Sequence, residues 1–394
     1  MIELNIEDEQ RKLGASLRVI GIGGGGGNAV NSMINGGELE GVEFIVANTD
    51  AQALDHSPAE SKVQLGAKIT KGLGAGSNPD VGRRAAEEDL DSVMHNIADS
   101  DILFLTAGLG GGTGSGGLPV IAQAAREAGI LSVAVVTKPF QFEGRKRMSQ
   151  AEEAIEQLQK VVDTLIIVPN QKLLEVADPN ISMLDAFAMS NDILMQGIKG
   201  IADIITKPGH INVDFADVRS VMKGMGMAIM GTGQASGEHR AKEAVMKAIN
   251  SPLLENVSIE GARGVLINIT GNSDLGLHEI HEAVSVVYEL VSRDANIILG
   301  SVVDPNIGDD IMVTVIATGF ESEAHSDVSD QQEAERVIAA SQYKQRETEA
   351  RRFLLGREDE QVQGVLQTFD LEDVDTPAFL RKNAHKEDEN ISQQ

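Results

Sequence analysis

The chain has 394 residues, 42% of them hydrophobic, and 33 basic against 60 acidic residues give a formal net charge of −27 at pH 7. This length predicts two domains with a tail, and so acidic a surface argues against nucleic acid and anionic membranes as direct partners. The lack of cysteine excludes disulfides and thiolate metal sites. Residues 1–12 do not resemble a signal peptide, and no apolar run reaches the roughly 18 residues of a membrane helix. We therefore expect a soluble, cytoplasmic protein without direct membrane insertion.

Short apolar runs alternate with helical patterns through the first half of the chain. The helical patterns 28–35 and 118–129 follow the first and third runs, each after a series of glycines. Apolar strands separated by helices indicate a parallel sheet covered on both faces, in which ligands bind beyond the carboxyl ends of the strands. The predicted strands span residues 17–23, 42–50, 101–108, 131–140 and 164–170.

The second half begins with one long predicted helix, residues 182–206, which Lys207, Pro208 and Gly209 end. A second α/β pattern follows, with a helix at 277–293, and beyond 320 the chain turns polar. We predict an α/β fold in which a parallel-sheet nucleotide-binding domain is joined by a long central helix to a smaller α/β domain, with a flexible C-terminal tail. The later strands are predicted at 264–271, 296–305 and 310–320. The predicted divisions are an extension (1–16), the first domain (17–181), the central helix (182–207), the second domain (208–320), a linker (321–369), a partner-binding peptide (370–382) and a disordered tail (383–394).

Three glycine-rich stretches, residues 21–28, 71–82 and 105–119, are each expected at the same edge of the sheet. The first contains G-x-G-x-x-G and then opens a helix, which suggests phosphates held by backbone N–H groups, although a tight strand–helix turn would leave the same pattern. The last holds seven glycines, with Thr113 and Ser115 as hydroxyl donors. No G-x-x-x-x-G-K-[ST] sequence exists, so the chain is not a P-loop enzyme. Three such stretches together predict a polyphosphate site.

The order of the motifs is specific to a known family. GGGTGSG (110–116) resembles the signature loop of tubulin. With five further motifs it closely resembles the tubulin/FtsZ family of GTPases, across about residues 17–320; only the region 321–369 departs from the pattern. The resemblance implies a cytoskeletal GTPase of cell division that builds head-to-tail filaments and a ring at midcell. The further motifs are GGGGGN (23–28), VANTDAQAL (46–54), TKGLGAGSNPDVG (70–82), TKPFQFEGRKR (137–147) and NVDFADVRSVM (212–222).

The resemblance also implies which residues bind GTP and GDP. The first stretch would contact the α and β phosphates, GGTG (111–114) the β and γ phosphates, and the 75–78 segment would sense the γ phosphate. Mg²⁺ is expected through the phosphates, without a dedicated set of protein ligands. The implied phosphate-binding residues are Gly24, Gly25, Gly26, Gly27, Asn28, Ala75, Gly76, Asn78, Gly111, Gly112, Thr113 and Gly114.

Two further groups of side chains can each be interpreted in two ways. Glu143 and Arg147 stand four apart, which by itself favours a helical ion pair; the resemblance implies contacts to the ribose and phosphates. Phe187 and Asn191 share a helix face, where an aromatic ring either packs in the core or stacks on a base. An amide or carboxylate there would read guanine, and the sequence leaves open whether Asn191 or Asp192 does so.

The hydrolytic water needs an orienting group, and the glycine stretches contain none. Asn212, Asp214 and Asp217 offer one, although Asp214 and Asp217 also fit acidic capping of the helix that follows. In the family this loop inserts into the nucleotide site of the next subunit. The resemblance therefore implies that Asp214 and Asp217 polarise the attacking water, that Asn212 supports them, and that filament formation activates hydrolysis.

The segment 370–382 contains apolar residues within a charged region. Chance hydrophobic residues in a disordered segment would produce the same composition. DVDTPAFLRK (373–382) resembles the family's partner-binding peptide, which implies membrane tethers and division regulators such as FtsA or ZipA as partners. The implied contact residues are Asp373, Pro377, Phe379, Leu380 and Arg381.

Three other functions compete with this interpretation. Gly21, Gly23, Gly26 and the acidic Asp50 after the next strand fit an NAD-dependent oxidoreductase. The second glycine stretch and the lack of a His or Tyr constellation count against it. A tubulin-like filament that segregates plasmids, and a nucleotide-binding homologue without turnover, are the remaining alternatives.

Overall fold

The computed structural model describes residues 14–37, 39–251 and 259–320. Most of the predicted N-terminal extension, and all of the predicted linker, partner-binding peptide and tail, lie outside these residues. The predicted contact residues Asp373, Pro377, Phe379, Leu380 and Arg381 therefore also lie outside the described residues.

The strands of the described residues form one continuous ten-stranded sheet. Its order is β3-β2-β1-β4-β5-β6-β7-β10-β8-β9. Neighbours from β3 to β7 are parallel, β10 runs antiparallel to both β7 and β8, and β9 is parallel to β8. The predicted α/β class with a mainly parallel sheet is confirmed. The strands are β1 (Leu17–Ile22), β2 (Val42–Asn48), β3 (Ser61–Gln64), β4 (Ile102–Gly108), β5 (Leu131–Lys138), β6 (Thr164–Pro169), β7 (Gly226–Ala235), β8 (Gly264–Gly271), β9 (Asn296–Val303) and β10 (Ile311–Thr318).

Helices cover both faces of this sheet. Within the described ranges, none of them is both long and apolar enough to cross a membrane. In the same ranges, 3₁₀ turns lie at Gln141–Glu143 and Ile259–Gly261. The α-helices are α1 (Gly23–Gly36), α2 (Ala51–Asp55), α3 (Ala67–Thr70), α4 (Pro79–Glu88), α5 (Leu90–Ile97), α6 (Gly112–Glu127), α7 (Arg145–Val161), α8 (Asn170–Val176), α9 (Met183–Thr206), α10 (Phe215–Met222), α11 (Arg240–Ile249) and α12 (Leu277–Leu290).

The central strands are mainly apolar because both of their faces are buried. In β4, Phe104 belongs to a cluster with residues of α1 and α9, whereas the adjacent Leu105 belongs to a cluster with residues of α5, α6 and α7. Successive side chains of a strand point to opposite faces, so one apolar run supplies two cores. A third cluster lies between β8, β10, α11 and α12.

Helix α9 crosses the molecule from the carboxyl edge of the parallel strands to the second half of the sheet. Ser182 caps it by accepting a hydrogen bond from the N–H of Asp185 at 3.1 Å. Its 24 residues span about 36 Å, and Leu194, Ile198 and Ile201 on it are buried in the cluster that also holds residues of β5 and β8. The predicted long helix is confirmed to within one residue at its start.

Strand β7 and helix α11 were absent from the sequence prediction. Three of the ten residues of β7 are glycines, a composition that weakens any strand pattern. The sheet needs them because a Cβ on Gly231 would lie 1.9 Å from the carbonyl oxygen of Ala248, and one on Gly233 would lie 2.1 Å from that of Ala244. The strand is glycine-rich so that α11 can pack directly on its backbone.

One carboxylate of α9 is buried where the helix faces the second half of the sheet. Asp203 is 1% exposed, and its Oδ2 lies 3.2 Å from Nζ of Lys207. Its Oδ1, like Oδ1 of the facing Asn268, has no hydrogen-bond partner among the described residues. Burial raises the pKa of Asp203, and the nearby Lys207 only partly offsets that increase.

We predict that Asp203→Asn becomes progressively more stabilising, relative to the parent, as pH rises above 3.8, the ordinary pKa of an aspartate, toward the raised pKa of the folded chain. A raised pKa means that the folded chain holds this proton more tightly than the unfolded chain, so its stabilising contribution is lost as pH rises through the folded-state pKa. Urea unfolding at a series of pH values measures the difference. Asp55→Asn, which alters an exposed carboxylate, is the control. A difference that stays constant with pH would contradict the prediction.

Candidate functional site

The first and third glycine stretches form the opening turns of helices. Helix α1 begins at Gly23 and α6 at Gly112, each five or six residues before the predicted helical patterns. Glycine lowers helix propensity by about 1 kcal/mol per residue, so propensity alone placed both starts too late. Tertiary packing holds these turns in helical form, and their backbone N–H groups point out of the helix ends.

Three helix N-termini lie side by side at the carboxyl edge of the sheet. No side chain caps α1 or α6, whereas Asn78 caps α4 by accepting from the N–H of Asp80 at 3.0 Å. A Cβ on Gly23 would lie 3.0 Å from the nitrogen of Gly114, and one on Gly112 would lie 2.8 Å from that of Asn78. The start of α6 therefore lies between those of α1 and α4. Adjacent N-termini with free N–H groups attract anions.

The glycines of this region belong to two classes. Some are closed in by protein backbone: a Cβ on Gly26 would lie 2.3 Å from the carbonyl oxygen of Thr106, and one on Gly116 would lie 1.9 Å from that of Pro79. Others are open, since a Cβ on Gly24, Gly76 or Gly111 would meet no atom of the described residues within 4 Å apart from its own neighbours in the chain. The closed glycines allow helices and strands to approach one another, and the open ones leave room for a ligand. The class of close contacts also includes Gly21, Gly25, Gly82 and Gly112.

The 71–78 loop follows the same edge with a strained backbone. Lys71 and Ser77 adopt positive φ angles of 53° and 57°, the only such non-glycine residues in the described part of the chain. The carbonyl oxygen of Ser77 accepts from Nε2 of Gln150 at 3.2 Å, and Ala75 is buried. The loop thus contacts α7 through Gln150 and lies beside the start of α6.

The two hydroxyls predicted as ligand donors have different surroundings. The hydroxyl of Thr113 lies 2.7 Å from that of Thr49, and Thr113 is 8% exposed. Ser115 is 2% exposed, and its Oγ accepts from the N–H of Gly110 at 2.8 Å. Ser115 therefore stabilises the turn before α6, and its predicted role as a hydroxyl donor to the ligand stays a prediction.

Glu143 and Arg147 form an ion pair next to this turn. Oε1 of Glu143 also accepts from the N–H of Phe140 at 3.0 Å, which fixes the carboxylate. A Cβ on Gly110 would lie 2.7 Å from the carbonyl oxygen of Arg147, so the first turn of α7 touches the turn that leads into α6. The contact between these two turns places the guanidinium of Arg147 beside the helix N-termini. This side chain is 44% exposed and adds a positive charge there.

Phe187 belongs to an aromatic cluster of three rings. The rings of Phe140 and Phe142 stack with centroids 5.1 Å apart, and Phe187 meets Phe140 edge-on at 5.4 Å. Phe187 is 36% exposed and Phe142 61% exposed, so two of the rings present apolar surface to solvent. Sequence reasoning missed Phe140 and Phe142, although the PFQF segment directly after β5 indicates their position at this edge.

Polar side chains of α9 continue from this cluster. Nδ2 of Asn191 lies 3.5 Å from Oγ of Ser32 on α1, and Asp192 is exposed. Asn170, buried at the start of α8, accepts from Oγ of Ser190 at 2.8 Å. The edge of the sheet thus carries an anion-attracting end near α1 and α6 and an aromatic and polar end near α9.

Asn212, Asp214 and Asp217 lie beyond the opposite end of α9. Asp214 caps α10 by accepting from the N–H of Asp217 at 2.9 Å, so the capping interpretation is confirmed. All three side chains are exposed, and Oδ1 of Asn212 accepts from the N–H of Gly209 at 2.9 Å. Since Phe187 and the end of α9 at Thr206 are about 28 Å apart along the helix axis, one chain keeps these carboxylates far from the glycine turns.

The loop that carries these residues is held against β9. The N–H of Ile211 donates to Oγ of Ser301 at 2.8 Å, and a Cβ on Gly209 would lie 1.5 Å from the carbonyl oxygen of Ser301. Within the described residues, no group of three or more histidines or carboxylates is arranged to hold a metal ion. Asp214 and Asp217 thus face solvent at the start of α10, directly after a loop that is anchored to β9.

Two family models match the chain. The model of the tubulin/FtsZ family GTPase domain matches residues 16–178, and that of the FtsZ family C-terminal domain matches residues 226–321. The cell division protein FtsZ of Coxiella burnetii is 55% identical over 310 residues, which are 79% of this chain and 80% of that protein. The cell division protein FtsZ of Bartonella bacilliformis is 56% identical over 305 residues, 77% of this chain and 51% of that protein.

Solved structures give the same result for the fold. An empty FtsZ dimer from M. jannaschii superposes with a TM-score of 0.75 at 44% identity, covering 79% of this chain and 90% of that one. CetZ2 from Haloferax volcanii, solved as a GTPγS-bound protofilament, superposes with a TM-score of 0.67 at 20% identity, over 83% of this chain and 99% of that one. The second likeness concerns the fold alone.

Proposed function

The chain belongs to the tubulin/FtsZ family of GTPases, and on that premise we propose that it hydrolyses GTP between successive subunits of a head-to-tail filament. It is a cytoskeletal GTPase of cell division, which binds GTP and GDP, self-associates and forms the filaments of the midcell ring. The family membership replaces the dehydrogenase and plasmid-segregation alternatives. The activation of turnover by assembly, the metal, the tethers and the exact site residues are our proposals.

The proposal is based on one observation: the glycine turns and the carboxylates of Asp214 and Asp217 lie apart on the same chain. The glycine turns offer N–H donors but no acid or base, and the exposed carboxylates of Asp214 and Asp217 lie beyond the other end of α9. A head-to-tail contact is heterologous, so it brings opposite ends of two copies together and continues without closing. Asp214 and Asp217 of one copy would then orient and deprotonate the water that attacks the γ phosphate of its neighbour, with Asn212 holding their loop.

The phosphates would lie across the three adjacent helix N-termini. Gly24 to Asn28 at the start of α1 would bind the α and β phosphates, and Gly111 to Gly114 at the start of α6 the β and γ phosphates. Ala75, Gly76 and Asn78 would meet the γ phosphate. Arg147 would add a positive charge that backbone dipoles cannot supply. Mg²⁺ would be held chiefly by the phosphates, which suits a site that lacks a cluster of carboxylates.

The guanine base of the nucleotide would occupy the aromatic and polar end of the site. Phe187 would stack on it, and its edge-on contact with Phe140 fixes the plane of the ring. Asn191 or Asp192 would read the guanine edge, and Glu143 would meet the ribose. A carboxylate that accepts from guanine N1 and N2 has no matching donors on adenine, which favours GTP over ATP.

The wider setting also remains a proposal. We place the protein in the cytoplasm, at the division site, with FtsA-like or ZipA-like tethers bound to the segment 370–382 through an apolar peptide. We also propose that the folded part divides into residues 17–181, 182–207 and 208–320. Binding of a synthetic 370–382 peptide to a candidate tether tests the partner assignment.

Turnover per subunit is expected to rise steeply above a threshold protein concentration. Each active site needs two copies, so the fraction of complete sites depends on assembly. Phosphate release measured over a dilution series gives the threshold, and right-angle light scattering on the same samples reports assembly. Scattering should appear with GTP, decay as GTP is consumed, and be absent with GDP or ATP. A constant specific activity on dilution would mean that a single chain holds the whole site.

A further inference from the structure

Thr49 makes contacts with two parts of the candidate phosphate site at once. Its carbonyl oxygen accepts from the N–H of Gly74 and from Oγ1 of Thr70, both at 3.2 Å. Its hydroxyl bonds that of Thr113 in the first turn of α6 at 2.7 Å. Thr49 is therefore joined to the 71–78 loop through its backbone and to α6 through its side chain.

The residues that follow Thr49 strengthen its connection to the loop. The N–H of Ala51 donates to the carbonyl oxygen of Gly72 at 3.1 Å, and Asp50 forms an isolated β-bridge with Leu73. A shift of the loop would thus pull on the end of β2 as a unit. The hydroxyl bond from Thr49 is the side-chain link that passes such a shift to α6.

This hydroxyl pair is buried, which makes it sensitive to its geometry. Thr49 is 0% exposed and Thr113 is 8% exposed. A buried hydroxyl that loses its partner is removed from water without gaining a hydrogen bond, which is unfavourable. The two side chains therefore favour one relative position of the loop and the helix. Nothing in the proposed chemistry uses Thr49 itself, because its hydroxyl points at another side chain.

We propose that Thr49 is a positioning residue through which the 71–78 loop and the start of α6 respond together to the third phosphate. The inference rests on the proposed function, which places the γ phosphate between these two elements. When the γ phosphate is present, the loop and the helix bind it in a single arrangement that the Thr49–Thr113 bond favours. Preference for GTP over GDP thus depends on a residue that need not touch the nucleotide.

The test compares the GTP and GDP affinities of Thr49→Val and Thr49→Ser with those of the parent. Valine keeps the shape and all backbone bonds but removes the hydroxyl, whereas serine keeps the hydroxyl. Titration with GTPγS and GDP below the assembly threshold gives the two affinities. Thr49→Val should lower the ratio of GTPγS to GDP affinity by roughly tenfold, which corresponds to the loss of one buried hydrogen bond. Thr49→Ser should keep the ratio of the parent.

A purely structural role would lower both affinities together and leave their ratio unchanged, and that result would overturn the proposal. Thr49→Ala, which cannot overpack, serves if the valine variant does not fold. In the double variant with Thr113→Val, the Thr49 change should have no additional effect on the ratio; additive losses would mean that the two residues act separately. A parent that lacks GTP turnover would instead refute the proposed function, before any variant is compared.

Discussion

Asp217→Asn is expected to reduce GTP turnover by roughly 10²–10⁴-fold while GTP affinity, measured below the assembly threshold, stays within about twofold of the parent. Asparagine keeps the size and exposure of the side chain but neither takes a proton nor carries the charge that orients water. The nucleotide turns lie at the other end of α9 from this residue, so binding by one subunit should be unaffected. Phosphate release and nucleotide titration on the same preparation measure both quantities.

Two matched variants separate chemistry from helix capping. Asp214→Asn keeps a good N-cap, so α10 should stay formed while turnover falls as in Asp217→Asn. Asp91→Asn changes an exposed acid in the first turn of α5 and should leave turnover unchanged. Full turnover by Asp217→Asn would refute the assignment of the water-orienting group.

Gly24→Asp is expected to weaken GTP binding by a hundredfold or more without lowering the stability of the fold. A Cβ at this position meets no protein atom within 4 Å, and an acidic side chain in the first turn of α1 is favourable for the helix itself. The new carboxylate would lie where the phosphates are proposed to bind. Two like charges about 4 Å apart repel by roughly 4 kcal/mol near a protein surface, which corresponds to a loss of nearly a thousandfold. Nucleotide titration and thermal unfolding measure the two effects.

The matched control is Gly26→Ala, two residues further along the same helix turn. Its single added methyl group would lie 2.3 Å from the carbonyl oxygen of Thr106, so the melting temperature should fall although no charge is introduced. Equal losses of stability in the two variants would refute the division into open and closed glycines.

Mixing Gly24→Asp with Asp217→Asn tests whether two subunits share one active site. Gly24→Asp lacks a working nucleotide site, and Asp217→Asn lacks a working catalytic loop. In a mixed filament, an intact nucleotide site can meet an intact loop of the neighbouring copy, so the mixture should regain turnover that neither variant has alone. A mixture as inactive as its components, under conditions where both are shown to coassemble, would favour a site within one chain.

Much of the first half of the fold was predictable because buried parallel strands leave a strong signal. The runs that became β1, β4 and β5 are mainly apolar on both faces, and the predicted bounds differ from the observed ones by at most two residues. Helix α9 was predictable for a similar reason, since Ser182 and Pro208 mark its two ends.

Where prediction failed, contacts between distant segments override local preference. Five consecutive glycines do not predict a helix, yet Gly23 to Gly27 form the first turns of α1 between β1 and β4. Strand β7 was missed because its glycines serve the packing of α11. The ring contacts of Phe140 and Phe142 with Phe187 depend on where β5 and α9 meet in space, and no local sequence pattern encodes that distance.

The junction between β6 and β7 has a mechanical consequence for a filament. Only three residue pairs join these strands, against six between β5 and β6 and eight between β7 and β10. In the proposed head-to-tail filament, tension would enter a subunit at the glycine turns and leave at the end that carries Asp214 and Asp217, so part of it would cross this junction. Because the strand pairing is short there, we expect the packing of α9 against both halves of the sheet to transmit part of that tension as well. The elasticity of such a filament would then depend in part on apolar contacts, whose strength varies with temperature and pressure.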